Sequence, residues 1–336
     1  MKLEGTVRIH RTERWVLLLF TVLMLAFTYK VWLQPNRTFD AYFYSYLISD
    51  DVAAFKATPG VPPDFVAMPD QDYVVQEQFY TVKLLFVALS RIAANYVGVL
   101  KAPTTVSAIA YFWCGFVVWF WLRDLSVEAT WRTLAALLIM YTPFVTDAAM
   151  MGTPDLLCTV LLLSATWLLT CTRHAYLASA LLVLSVATRT DCLLLGGLLL
   201  LLAWWQKRLT TVATVIIGAT MLMVYAGISM LGFPHAQLLD LVLENTGRSS
   251  YWDALPHNLL MPDVALLIPF ILLSLIPLKL RYQVELIWVC AASVVLRYLL
   301  LPNLESRYLV PQAIIVSVVA VAAVLRTSSG QPSSHS

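Results

Sequence analysis

The chain has 336 residues, 60% of them hydrophobic and 12% charged, with a mean hydropathy of +0.76 and a net charge of +2. A soluble domain carries roughly a quarter charged residues, so this composition excludes a soluble globular enzyme and predicts an all-α polytopic membrane protein. The small net charge gives no argument for nucleic acid. The five cysteines, all in apolar stretches without ligand-like spacing, predict neither a disulfide framework nor a zinc site.

Apolar runs long enough to approach a membrane crossing occur at 15–32, 104–122, 133–145, 156–171, 176–187, 193–205, 209–231, 264–278, 284–301 and 310–325. They predict about ten transmembrane helices in one domain over 1–325, followed by a Ser-rich, disordered cytoplasmic tail over 326–336. The first run follows Lys2, Arg8, Arg11 and Arg14 and ends in bulky Tyr29-Lys30-Val31-Trp32, so it reads as a retained anchor with a cytoplasmic N-terminus.

Residues 81–100 decide the topology. At helical spacing Lys83, Ser90 and Lys101 fall on one stripe with Arg91 and Asn95 beside it, the pattern of a helix lying in the interface. If this segment does not cross, Arg123, Arg132, Arg173, Lys207, Arg208, Lys279, Arg281 and Arg326 all lie in short cytoplasmic loops; if it crosses, all move outside, against the positive-inside bias. The first arrangement makes 34–103 and 232–262 external loops and puts most acids outside. Asp155, Asp191 and Glu305 then stand at span mouths in short connections, where charges are costly unless paired or wet.

Four constellations could carry chemistry. After the first span, Thr38 is a plausible N-cap that places Asp40 in the first turn of a helix reaching about Lys56, with Asp40, Tyr44 and Asp51 on one face; Asp40 either complements the helix dipole or acts chemically. Asn36-Arg37-Thr38 also matches a glycosylation sequon. In Thr153-Pro154-Asp155 the threonine reads as cap and the proline as first helical residue, so Asp155 is either a helix-start acid or functional. Arg189-Thr190-Asp191 breaks an apolar stretch, and Arg189 either pairs with Asp191 or offers a planar fork to an anion. In the last turn Glu305 and Arg307 either pair or, with Tyr308, hold a phosphate and a sugar hydroxyl. Arg297 lies below that turn and is placed to snorkel upward.

Taken together, an early external Asp, Pro143 and Pro154-Asp155 in the second external turn, the Arg189-x-Asp191 break, and Glu305-x-Arg307-Tyr308-x-x-Pro311 resemble the C-type glycosyltransferase superfamily over about 15–311. Its members include protein O-mannosyltransferases and the lipid A aminoarabinose transferase. The resemblance implies transfer of a sugar from a polyprenyl-phosphate carrier to an acceptor glycan, lipid or protein on the non-cytoplasmic face, in a bacterial inner membrane. It implies Asp40 as catalytic base, Asp155 as the second catalytic acid, and Arg189, Asp191, Glu305, Arg307 and Tyr308 as substrate-binding residues. Where relatives carry a basic residue with prolines before an interfacial helix, this chain has Glu77-Gln78-Phe79-Tyr80 and then Lys83, so Glu77 and Lys83 take the equivalent positions. Some superfamily members use a divalent cation, and Asp40 with Asp155 could hold Mg or Mn. The competing classes are a transporter or flippase, which predicts inverted repeats and midplane charges, an O-antigen polymerase or ligase, and a scaffold for polysaccharide export.

Overall fold

In lipid, a backbone can satisfy its polar groups within one segment only as a helix, and the apolar runs fold accordingly. A computed structural model describes residues 11–49, 51–172, 174–231, 251–252, 281–300 and 306–328, and is all-helical within them. The long helices are α1 (Arg11–Leu33), α7 (Ala102–Asp124), α13 (Thr211–Leu231), α14 (Arg281–Leu300) and α15 (Val310–Ser328). Between α1 and α7 come α2 (Phe39–Ser49), α3 (Val52–Lys56), α4 (Pro63–Ala67), α5 (Asp70–Thr81) and α6 (Leu84–Val97). The middle of the chain supplies α8 (Ala129–Met140), α9 (Pro143–Met150), α10 (Asp155–Cys171), α11 (Ala175–Thr188) and α12 (Cys192–Trp205).

Among the described residues four helices are long and apolar enough to cross a membrane, or five if the bent pair α8–α9 counts as one span. The expected number of about ten is not reached. The runs at 156–171, 176–187 and 193–205 form helices of 17, 14 and 14 residues; at ~1.5 Å per residue these fall short of a ~30 Å hydrocarbon core. Charge shortens two of them, since Arg189-Thr190-Asp191 ends α11 and opens α12. The run at 264–278, most of the 232–262 loop and the tail from 329 lie outside the described residues. The α8–α9 bend of 57° has a local cause. Pro143 has no N–H to donate and forces Thr142 out of helical geometry, to ψ 140°.

Trp32, at the end of α1, donates from Nε1 to Thr105 Oγ1 in the first turn of α7 (2.9 Å), so residues 34–101 leave and return at the same end of the bundle. Helix α6 packs on α2, α7 and α11; at 14 residues it is among the apolar helices too short to count as spans. The stripe expected over 81–100 is divided. Gly98, at φ +82°, stops α6, a conformation that costs glycine little. Lys83 precedes its first turn, Ser90 is buried, and Lys101 begins α7 with its ammonium 4.9 Å above the Trp32 ring.

The opposite end carries a different charged set. Arg132 pairs with Glu13 at 2.5 Å and lies 4.1 Å over Trp119. Asp124 accepts from Trp167 Nε1 (2.9 Å), Arg208 donates to the carbonyls of Thr170 and Thr172, and Gln206 donates to Glu285. Between the two ends, α7, α10, α11 and α15 form a continuous apolar core that includes Trp119, Leu156, Leu182 and Val318.

Two further expectations need correction. The helix beginning near Thr38 does not continue to Lys56: α2 ends at Ser49 and α3 begins at Val52, with Asp51 capping α3 by accepting from Ala53 N (2.9 Å). Phe43 and Leu47 are buried, and Phe43 packs with Phe55, Phe65 and Tyr73 in an aromatic cluster that holds α2 to α5 together. A straight helix would carry the 52–56 segment away from that cluster. Cys158 and Cys192 are joined in a disulfide, which their separation of 34 residues concealed. Each stands in the first turn of its helix, α10 and α12, and the fold brings those two turns together.

Candidate functional site

Asp40 occupies the first turn of α2, where the free N–H groups favour a carboxylate. Thr38 serves this start through its backbone, its carbonyl accepting from Ala41 N (3.0 Å), while its hydroxyl has no partner. Asp40 Oδ1 accepts from the Tyr80 hydroxyl at 2.7 Å, and Oδ2 accepts from Arg307 Nη1. Tyr80 is fixed by stacking on Phe43, with ring centres 5.0 Å apart and planes within 5°. Burial, followed by the neighbouring Asp40 charge, pushes the Tyr80 hydroxyl well above the usual tyrosine range, so it stays a donor. The Asp40 side chain keeps 25% exposure and Arg307 19%, so this pair stands at a mouth that solvent reaches.

Arg307 and Tyr308 come from a short 3-10 turn, Ser306–Leu309, that leads into α15. Arg307 Nη2 donates to the Tyr308 hydroxyl at 3.3 Å. Around the Tyr308 ring stand the guanidinium carbons of Arg297 at 3.9 Å, Arg189 at 4.6 Å and Arg307 at 5.0 Å. An electron-rich ring face attracts each of them.

Deeper in, Arg189 bridges two acids. Its Nε and Nη2 donate to Asp191 at 3.0 and 2.5 Å, and its Nη1 donates to Asp155 Oδ1. Asp155 Oδ2 accepts from Thr153 Oγ1 at 2.5 Å, so this 4% exposed carboxylate is engaged on both oxygens. Thr153 therefore holds the acid rather than capping α10, and Pro154 precedes the helix rather than opening it. The 151–154 turn lies close against α2 and α7: Gly152, at φ +67°, has room for a Cβ only 3.1 Å from Thr104 Oγ1, and Ser107 Oγ donates to the Thr153 carbonyl at 2.8 Å. A side chain there would be strained by both the backbone angle and the close contact, and the packed turn holds Asp155 against α7.

Lys83 is half-buried before the first turn of α6, within electrostatic reach of Asp191, Arg189, Asp155 and Asp40. Burial pulls its ammonium down to about 8. Asp40, Asp155, Arg189, Asp191, Arg307, Tyr308 and Lys83 thus converge on one region. Glu77 does not join them; it accepts from Tyr46 at 3.3 Å on the outer aromatic cluster, because its turn of α5 faces that way. Glu305 lies outside the described residues. Sequence reasoning passed over Tyr80, gave Thr153 only a capping role and placed Arg297 only as a snorkelling side chain. Nothing in the local pattern showed that α5 would lay Tyr80 against α2.

Among the described residues no group of three His, Cys, Asp or Glu side chains is placed to hold a metal. Asp40 and Asp155 each already accept from an arginine. A divalent cation would have to displace those guanidiniums, so this donor set does not fit one.

Beside the site runs an apolar groove of about 510 Å³ between α6, α7 and α10. Its walls include Leu89, Tyr96, Ile109, Trp113, Leu157 and Val160. Leu157 follows Asp155 by two residues on α10 and Leu89 follows Lys83 by six, so the helices that carry two of the charged residues also wall the groove. Comparison with known proteins finds no matching family model, no matching curated protein and no matching solved structure.

Proposed function

We propose that the chain is a membrane-embedded transferase that moves a sugar from a polyprenyl-phosphate carrier to an acceptor hydroxyl, with Asp40 as general base. The observation that carries this reading is the pairing of Asp40 with Arg307, 267 residues apart in sequence, at a solvent-reached mouth, with Arg189 and Arg297 buried behind it around Tyr308. The acceptor oxygen loses its proton to Asp40 and bonds to the anomeric carbon, and the bond from that carbon to the phosphate oxygen breaks with its electrons. The departing phosphate is already stable as an anion, so fixed positive charge is needed and a general acid is not. Glycoside hydrolysis would instead use two carboxyls flanking the scissile bond, whereas Asp155 is 4% exposed and paired with the buried Arg189.

The apolar groove supports a lipid-linked donor, since it offers a hydrocarbon chain a surface on the helices that carry Asp155 and follow Lys83. The charge distribution supports a non-cytoplasmic site. Arg123, Arg132 and Arg208 gather at the opposite end of the bundle, as the positive-inside bias asks of the cytoplasmic face. The test is detergent-purified protein assayed against a panel of polyprenyl-phosphate sugars with Asp40→Asn as control. Transfer that depends on Asp40 supports the reading; turnover that survives the substitution removes the base assignment.

A further inference from the structure

The two arginines that the sequence singles out are both already paired, Arg189 with Asp155 and Asp191, and Arg307 with Asp40. Arg297 differs. It is 6% exposed, stacked on Tyr308, and its Nε stands 3.3 Å from Asp191 Oδ2, yet neither Nε nor Nη1 has a hydrogen-bond partner. Idle donors on a buried guanidinium are costly. It borders a cavity of about 20 Å³ shared with Tyr308, Ser293 and Gln312. Gln312 Oε1 is unpartnered as well, while its Nε2 donates to Ser293 Oγ at 3.2 Å. That volume admits one water-sized atom, so a whole sugar is excluded and a single oxygen fits.

Charge points the same way. Among the described residues Lys83, Arg189 and Arg297 bring three positive charges against two negative on Asp155 and Asp191, while Asp40 and Arg307 cancel. One positive charge is left over, and the groups that carry no hydrogen-bonded counter-ion are Arg297 and Lys83.

We propose that Arg297 is the oxyanion-binding element of this site, with Lys83 adding positive charge nearby, and that it takes the singly charged phosphodiester of a lipid-linked headgroup, one phosphate oxygen entering the cavity beside Tyr308. A phosphodiester matches the surplus of one charge, and guanidinium N–H groups match its oxygens. Arg189 and Arg307 then act as positioning residues, holding Asp155, Asp191 and Asp40 in place. The inference rests on the transferase reading for the lipid and on the unpartnered Arg297 donors beside the cavity for the anion.

The test uses purified full-length protein in detergent and three probes: the methyl ester of a polyprenyl phosphate, dimethyl phosphate, and uncharged polyprenol. Affinities are read by tryptophan fluorescence titration. Arg297→Gln is expected to weaken binding of the lipid diester about ten- to a hundred-fold, the loss of charge-assisted hydrogen bonds, while leaving polyprenol binding unchanged. The ligand-free melting temperature of that variant should be unchanged or higher, because a poorly partnered buried charge is gone. Lys83→Gln, the second variant should the first not fold, is expected to weaken diester binding without touching polyprenol. Competition by dimethyl phosphate supports recognition of the anion itself. Wild-type diester affinity in Arg297→Gln, or polyprenol binding as tight as the diester, overturns the proposal. Diester binding that is lost in Arg297→Gln stands even where no sugar is transferred, whereas intact binding without transfer rejects only the transferase reading.

Discussion

Asp40 and Asp155 both pair with an arginine, and replacing each by asparagine should separate a chemical role from a structural one. Asp155 is 4% exposed and its partner Arg189 is 6% exposed. Breaking a buried pair from one side costs about 3–5 kcal/mol. Arg189 keeps its two hydrogen bonds to Asp191, which places Asp155→Asn near the lower end, about 3 kcal/mol, or roughly a hundred-fold in the folded-to-unfolded ratio. Asp40 is different, because its side chain is 25% exposed and Arg307 is 19% exposed. Discounting that pair for solvent leaves about 1 kcal/mol of stability, against a base contribution of about 10²–10⁴ in rate. The assay is a thermal melt by intrinsic tryptophan fluorescence alongside turnover per folded molecule. Asp155→Asn should melt distinctly lower, and Asp40→Asn should melt near wild type yet turn over at least about a hundred-fold more slowly. A stable Asp155→Asn, or an Asp40→Asn that retains a tenth of wild-type turnover, refutes the division of roles.

Three further outcomes follow from the geometry. Lys83, drawn down to about 8 by burial, should lose its charge between pH 7 and 9, so anion binding falls about ten-fold per pH unit once past the titration, which a bound anion shifts upward; Lys83→Gln should flatten that profile. With its folded value below its unfolded one, the ligand-free chain binds fewer protons than the unfolded chain between about 8 and 10.5, so Lys83 makes stability rise with pH there, a trend that melts across the window can read. Val160→Trp narrows the groove between α6, α7 and α10 and should raise KM for a long-chain carrier while sparing a short-chain analogue; equal effects on both would show that the chain does not lie there. Glu13→Gln leaves Arg132, 3% exposed, without its partner at the far end. It should cost about 2 kcal/mol, below the range for a fully buried pair because Glu13 is 25% exposed, with turnover per folded molecule unchanged.

Much of this architecture is legible in residue order. Helical apolar runs announce themselves by composition, and the segment that stays at one end is marked by Lys83 and Arg91 in otherwise apolar surroundings. Acids and arginines beside prolines and helix breaks mark where the chain turns, and Asp40, Asp155, Arg189 and Arg307 meet because those turns share one end of the bundle. What pattern alone does not carry is tertiary. The division of α2 from α3 follows from an aromatic cluster assembled out of four separate helices. The Cys158–Cys192 bond depends on two helix starts that are neighbours only in space. Among the described residues four or five helices have the length and composition of a span, and the finer count is hard to read because apolar composition reports burial in protein as readily as burial in lipid: Leu182, Leu195 and Leu199 are buried within the bundle itself.

The Tyr308 ring faces three guanidinium groups at once. A single aromatic face has a finite attraction to share, so the contacts compete, and whatever draws one arginine away changes the grip on the other two. Exchanging Tyr308 for leucine would remove the ring that all three guanidiniums approach and leave each to its carboxylate alone. Such a change would reach the outer carboxylate and the inner salt-bridge web in the same stroke, which makes this one phenol the keystone by which the two halves of the pocket sense each other.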